Sequence, residues 1–329
     1  MGLQLNLPAI GDVRHGLEDP VKSLKGGSLR VYQGLWYTLT SRHQLGTNIF
    51  ERDWDVLLVL DACRVDALQA VAPEYDFIDE IDGIDEIWSV GSNSHEWIAQ
   101  TFTSEYEAEI TDTTYVTGNG FTKRIFETQT FPPSKITVPF TWTNWDVVQE
   151  SQLERLIEVW KHHRDEDLKG VPPGILTDYA IDIARTQRPE RLLVHYMQPH
   201  GPYLHGPVTE NRDPSDIERE AWRALRDGKA SFETIWDLYL DNLRLVLDDV
   251  AELLENVDAD KVVITADHGE AFGEFGAYGH PEGFPHPVVK KVPWVETSAT
   301  DTGTRQPDIE REAGPETDVE EYLRDLGYL

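Results

Sequence analysis

The chain has 329 residues, and 60 acidic against 29 basic side chains leave it a formal charge of −31 and a pI near 4.6. Bulk charge of that sign excludes a nucleic-acid binder, because a phosphate backbone would meet a repulsive surface, while 40% hydrophobic and 10% aromatic residues exclude global disorder. Cys63 is the only cysteine, so an internal disulfide and a cysteine-built zinc site are both ruled out.

The acidic excess runs along the whole chain, as in a protein kept hydrated in concentrated salt, where like charges are screened. A halophilic cytoplasm is the expected setting, with an acidic protein of an ordinary cell as the alternative. The N-terminal stretch carries acids and proline where a secretory signal needs a basic patch and an unbroken apolar run, and no stretch of about 18 apolar residues occurs anywhere. The expectation is a cytoplasmic protein without an integral membrane segment.

In chain order, residues 1–50 show no strand pattern, and Gly26-Gly27 separates a loop-like leader from a helix over about 29–42. The run Trp54 to Leu60 is apolar almost throughout, the form of a strand buried on both faces of a parallel sheet, and it ends at Asp61. A helix follows over 64–71. A second strand, 87–90, empties into Gly91-Ser92-Asn93-Ser94 and a helix reaching about Phe102. The stretch 105–145, rich in Thr, Pro and aromatics, reads as short strands and loops, and helices are expected at about 148–163 and 174–187. Arg191 to Met197 is a third core strand, closed by Gln198-Pro199-His200-Gly201-Pro202. The most regular helix covers about 232–256, with Trp236, Tyr239, Leu243, Val246, Val250 and Leu253 on one stripe. Strands at 261–266 and 289–295 and a short helix near 317–326 complete the reading.

Strands alternating with helices predict a three-layer α/β/α sandwich with a mostly parallel central sheet. The expected organisation is a leader, 1–50, packed on a single catalytic domain, 51–329. In such sheets ligands bind beyond the carboxyl ends of the strands, and Asp61, Ser94, His200 and Asp267-His268 all follow predicted strands. Asp61, Asp267 and His268 are suitable ligands for a divalent metal that activates a phosphoryl or sulfuryl oxygen. Ser94 sits where a helix begins: a hydroxyl there serves either as an N-cap or as a nucleophile whose alkoxide the metal and the positive helix end stabilise. Ser92 is its neighbouring competitor. Arg64 can clamp an anionic oxygen or pair with Asp66, and Glu270 either supports His268 or lies exposed.

DACRVD after a buried strand, GSNSHEW at a helix start, PHGPY after another strand and ADHGEAFGEFGAYGH resemble, in this order, the signatures of the alkaline phosphatase and sulfatase superfamily, over roughly residues 54–295. The resemblance implies an alkaline phosphatase-like fold, metal-ligand roles for Asp61, Asp267 and His268, and Ser94 as a metal-held nucleophile that takes the transferred group. The last motif is similar to sulfatase-like enzymes that transfer phosphoethanolamine or phosphoglycerol, which implies that His200 and His280 contact the phosphate, protonate the leaving oxygen or hold a second metal. Three departures follow. Cys63 precedes Arg64-Val65-Asp66 rather than the C-x-P-S-R pattern of true sulfatases, so formylglycine chemistry is not expected. A single acid, Asp61, stands where sulfatases carry a pair, which shifts the expected metal from calcium towards zinc or manganese. Tyr196 stands where two-metal members have an Asp, against a complete second site of that kind.

The sequence therefore predicts a metal-dependent hydrolase or phosphotransferase acting on esters of small molecules, glycans or lipid headgroups through a serine. Sulfate ester hydrolysis is the runner-up, and a catalytically silent domain binding an anionic glycan or a partner is the alternative from another class.

Overall fold

The residues Val56-Leu57-Leu58-Val59-Leu60 have no polar side to turn towards water, so they are satisfied only between two strands and covered on both faces. In the computed structural model, which describes residues 4–5, 20–78, 84–133, 140–309 and 316–328, they form β1 (Val56–Leu60), buried throughout. The other strands of its sheet are β2 (Asp85–Trp88), β3 (Thr113–Thr117), β4 (Arg155–Glu158), β5 (Arg191–Tyr196), β6 (Ala259–Thr265) and β7 (Lys291–Ala299). Their spatial order is β2-β7-β6-β1-β5-β3-β4. Every pairing is parallel except the two made by β7, so six strands run one way and β7 alone runs against them.

Helices α1 (Pro20–Thr40), α2 (Val65–Val71), α3 (Ser94–Thr101), α4 (Pro173–Thr186), α5 (Phe232–Leu254) and α6 (Val319–Asp325) surround the sheet. Adjacent residues of β5 reveal both outer layers, since successive strand side chains point to opposite faces. Tyr196 meets the Thr177 hydroxyl of α4 at 2.9 Å, whereas His195 lies edge-on to Trp97 of α3, with ring centroids 5.4 Å apart. The α/β/α sandwich is the architecture expected, and among the described residues no helix is long and apolar enough to cross a membrane.

Two local readings are corrected, and two general ones are made specific. The helix expected over 148–163 is instead the edge strand β4 followed by a short helix at Trp160–His163. Leu153, Leu156, Val159 and Trp160 mimic helical spacing, but β3 has an open edge whose backbone groups need partners, and Arg155–Glu158 supply them. Within 105–145, Thr113–Thr117 is a fully buried central strand; its threonines disguise a β-branched segment as a polar loop. Helix α1 begins at Pro20 and runs through Gly26-Gly27, because a helical glycine costs only about 1 kcal/mol and does not by itself stop a helix. Of the 1–50 leader, residues 1–3 and 6–19 lie outside the described residues; Tyr37, Gln33 and Thr40 of α1 are buried, and Trp36 Nε1 donates to Glu96 of α3. Finally, Asn93 rather than Ser94 is the N-cap of α3: its side chain accepts the Glu96 N–H at 2.9 Å.

Candidate active site

With the six strands co-directional, the turns after β1, β2, β3, β5 and β6 gather at one edge. Asp61 follows β1 directly, and Ala62 then takes φ +64°, a left-handed conformation strained for a non-glycine residue. That conformation is held from both sides. The Tyr239 hydroxyl of α5 donates to the Ala62 carbonyl at 2.7 Å, and the Ala62 N–H donates to Asp267 Oδ1 at 3.1 Å. The His268 N–H donates to the same oxygen at 2.9 Å. Asp267 thus uses Oδ1 to tie two turns together, while Oδ2 is buried without a hydrogen-bond partner among the described residues, facing His268 Nε2 at 3.4 Å and His195 Nε2 at 3.6 Å.

Because Asn93 caps α3, the Ser94 hydroxyl is free for other work. Its Oγ donates to Asp61 Oδ2 at 3.1 Å and stands 3.3 Å from His268 Nε2. Asp61 also accepts from Asn119 Nδ2, just beyond β3, at 3.0 Å, and from the Tyr328 hydroxyl, at 2.9 and 3.1 Å to its two oxygens, with His268 Nε2 at 3.5 Å and His195 Nε2 at 3.8 Å. His268 Nδ1 donates to the Gly269 carbonyl at 2.9 Å, which turns Nε2 towards the carboxylates. Ser92 is elsewhere: its hydroxyl donates to Glu96 at 2.7 Å and accepts the Gly283 N–H at 2.8 Å.

Asp61, Asp267 and His268 each offer a ligand atom within 4.8 Å of the others. All three are wholly buried. Burial, and then the Asp267 charge, pushes the Asp61 carboxyl well above its ordinary range. Burial would raise Asp267 too, but the His268 and His195 imidazoles outweigh it and hold that carboxyl low. Two buried carboxylates this close are under-neutralised without a cation. The orphaned Asp267 Oδ2 and the lone pair of His268 Nε2 are the atoms a divalent cation would take, and an oxygen, oxygen, nitrogen donor set suits one.

A second group, His200, Glu270 and His280, also brings one ligand atom each within 4.8 Å. It adjoins the first, the His268 and His280 ring centroids lying 4.6 Å apart. His200 is fixed by Asn242 of α5, whose amide donates to the Pro199 and His200 carbonyls, both at 3.1 Å. Its Nδ1 donates to the Gly201 carbonyl at 2.6 Å, its Nε2 is buried without a hydrogen-bond partner among the described residues, and burial, then His280, pushes its pKa down to about 3. Glu270 is buried, not exposed, and pairs with His280 Nδ1 at 2.9 Å rather than with His268; burial lifts its carboxyl to about 7. Tyr196, on the opposite face of the sheet, contributes to neither group.

Arg64 is turned into an ion-pair network: bidentate to Asp66, at 2.8 and 2.6 Å, with Glu274 at 2.8 Å and the Glu270 carbonyl at 2.9 Å. Cys63 is a buried thiol beside Asp61, its pKa raised by burial. Sequence reasoning missed His195, Asn119 and Tyr328. A histidine inside the apolar run of β5 was the one available signal; Asn119 and Tyr328 belong to no motif.

The family model described as Sulfatase matches residues 92–293. No curated protein matches the chain. Among solved structures, it is similar to the integral membrane lipooligosaccharide phosphoethanolamine transferase A of Neisseria meningitidis, at 16% identity and a TM-score of 0.45 over 75% of this chain, and spans only 47% of that longer protein. The C-terminal periplasmic domain of a phosphoethanolamine transferase from Campylobacter jejuni is 16% identical, with a TM-score of 0.41 over 74% of this chain and 78% of that one. The phosphonate monoester hydrolase of Agrobacterium radiobacter is 14% identical, with a TM-score of 0.38 over 74% of this chain and 68% of that one.

Proposed function

The chain belongs to the sulfatase family, and on that premise we propose that it is a metal-dependent enzyme that cleaves or transfers phosphate esters with Ser94 as nucleophile. One observation carries the reading: Asp61, Ser94, Asp267 and His268 arrive from three separate turns and leave a carboxylate oxygen without a hydrogen-bond partner among the described residues, next to the imidazole that adjoins the serine hydroxyl. Asp61, Asp267 and His268, with Ser94 Oγ adjoining, would hold the cation, and their mixed oxygen and nitrogen donors favour zinc or manganese over calcium. When bound, the cation supplies positive charge to the phosphoryl oxygens and lowers the cost of the serine alkoxide.

The chain's own groups do the rest. Ser94 Oγ gives up its proton along the hydrogen bond to Asp61 and attacks phosphorus in line. The Oγ–P bond forms as the bond from phosphorus to the ester oxygen breaks. His280, steadied by Glu270, donates a proton to the departing alkoxide. His200, kept neutral by burial, presents Nε2 as an acceptor for the incoming hydroxyl. Water or an acceptor alcohol then attacks the phosphoserine, restoring Ser94 and completing hydrolysis or transfer respectively.

The resemblance of the motifs to headgroup transferases supports small-molecule, glycan or lipid-headgroup esters as substrates, handled by one catalytic domain over 51–329 with its leader. The charge balance supports a cytoplasm rich in salt as the setting. The family description keeps sulfate ester hydrolysis as the second reading.

The deciding experiment screens 4-nitrophenyl phosphate, a phosphodiester and 4-nitrophenyl sulfate with zinc- or manganese-loaded protein in molar salt. Ser94→Ala is expected to lower phosphate turnover by about 10³-fold or more and to abolish a phosphoserine adduct on the Ser94 peptide. Turnover of sulfate alone would favour the second reading. If loaded protein turns over neither class and forms no adduct, the silent-domain alternative takes its place.

A further inference from the structure

Ser94 Oγ lies 3.1 Å from Asp61, 3.3 Å from His268 and 3.0 Å from the Tyr328 hydroxyl. The first two come from strand ends and are built into the sheet. The third is carried by a separate segment, residues 316–328, which holds α6. The Tyr328 ring fills a slot of its own shape. It stacks on His200 with centroids 4.6 Å apart and planes 4° from parallel, and meets Phe121 edge-on at 5.0 Å. With the ring in place Ser94, Asp61, Asp267 and His268 expose no surface. The phenol, 3.0 Å from Ser94 Oγ, is among the groups that cover the hydroxyl.

Among the described residues the segment joins no strand ladder; its Thr317 N–H donates to the Lys161 carbonyl at 2.8 Å, and the Tyr322 side-chain hydroxyl donates to the Gly118 carbonyl, also at 2.8 Å. Its side chains add Tyr322 stacked on Trp160 at 5.5 Å, Glu320 on Arg124 at 2.6 Å, Glu321 and Asp325 on Arg164, and Glu316 on Lys123 at 3.2 Å, while Tyr322, Leu323, Leu326 and Tyr328 are buried in the core. The acids at 316, 320 and 321 keep 60%, 52% and 55% of their side-chain surface exposed, so water and salt compete for those pairs. Opening the segment breaks no ladder hydrogen bond among the described residues but has to uncover those four buried side chains, so it needs a ligand that takes their place at the site. Arg124 follows Asn119 and Phe121 in the same turn beyond β3, so the clamp and the slot share one loop.

We infer that residues 316–328 form an intramolecular plug, with Tyr328 seated as an internal stand-in for the flat alcohol portion of an ester, and that the segment withdraws before a substrate reaches Ser94. The inference rests on the assignment of Ser94 and its neighbours as the active site. It implies that phosphate analogues and the plug exclude each other, so releasing the plug removes a competitor and tightens binding.

The test uses the full chain, zinc-loaded, with orthovanadate as the probe, hydrogen–deuterium exchange on 316–328 and calorimetric affinity. Saturating orthovanadate is expected to raise exchange in this segment. Tyr328→Ala is expected to tighten orthovanadate about tenfold or more, as removal of a self-blocking state requires, and E320Q, which loosens the clamp, to tighten it partway. Y328F, which keeps the ring and loses the hydroxyl, should fall between wild type and Tyr328→Ala. Unchanged or increased protection of 316–328 at saturation overturns the plug, as does weaker orthovanadate binding in Tyr328→Ala, the result for a residue that positions Asp61. Should Tyr328→Ala not fold, wild-type exchange and E320Q decide alone. Displacement of the segment without ester turnover would uphold the plug and remove the enzyme reading, whereas turnover with the segment still protected would do the reverse.

Discussion

Asn119 lies outside every motif, yet its amide donates to the Asp61 oxygen that also accepts from Ser94. Groups that orient a ligand in this way typically account for 10- to 100-fold in metal affinity, so Asn119→Ala is expected to weaken zinc binding by about that factor in a chelator competition titration. A different residue carries a stability signature. Lys290 is buried with no hydrogen-bond partner for its ammonium among the described residues, and burial, partly offset by the Glu96 charge, pushes its pKa from 10.5 down to about 8. The unfolded chain therefore holds more protons at this residue between pH 8 and 10.5, and stability should rise with pH across that window. The rise is on the order of 3 kcal/mol. Urea unfolding of wild type and Lys290→Met at several pH values measures it: the difference between them should shrink as pH climbs, and a constant difference would refute the assignment.

At the scale of elements, the site depends on two turns that admit no bulk. A methyl group on Gly269 would meet the Val288 carbonyl at 2.2 Å, and the Gly269 N–H is already committed to Val289 at 2.7 Å. Gly269→Ala must therefore displace the turn that aims His268, at about 2 kcal/mol or more, with zinc uptake falling alongside the melting temperature. On the other side, Asn93 caps α3, and Asn93→Ala should cost about 1 kcal/mol in denaturant unfolding while Ser94 remains at the helix start. Gly91 belongs to the same device, since a methyl group there would lie 2.4 Å from the Trp97 nitrogen. The loop can tuck beneath α3 only because nothing projects from it.

For the whole molecule, 60 acids against 29 bases make self-repulsion a destabilising force wherever salt does not screen it. The melting temperature is expected to climb by about 5 °C or more between 0.1 and 1 M potassium chloride, and a flat or falling profile would count against a protein adapted to concentrated salt. Many basic residues are tied into partnered positions, as with Arg305 among Asp178, Asp249 and Glu252, so the unpaired charge is overwhelmingly negative.

How far the sequence reaches follows from which interactions are local. Strands such as Val56–Leu60 and the stripe of α5 were legible because burial on two faces or one leaves a period in the chain itself. Asp61, Ser94, Asp267 and His268 were legible because turns after co-directional strands must converge at one edge of a sheet. Tertiary structure alone decided that Arg155–Glu158 would be a strand, since the deciding partner was the open edge of β3, and that Asn93 would take the cap and release Ser94. It alone also brought His195, Asn119 and Tyr328 to the carboxylates, because contacts between residues as distant as 61 and 328 leave no spacing along the chain to read.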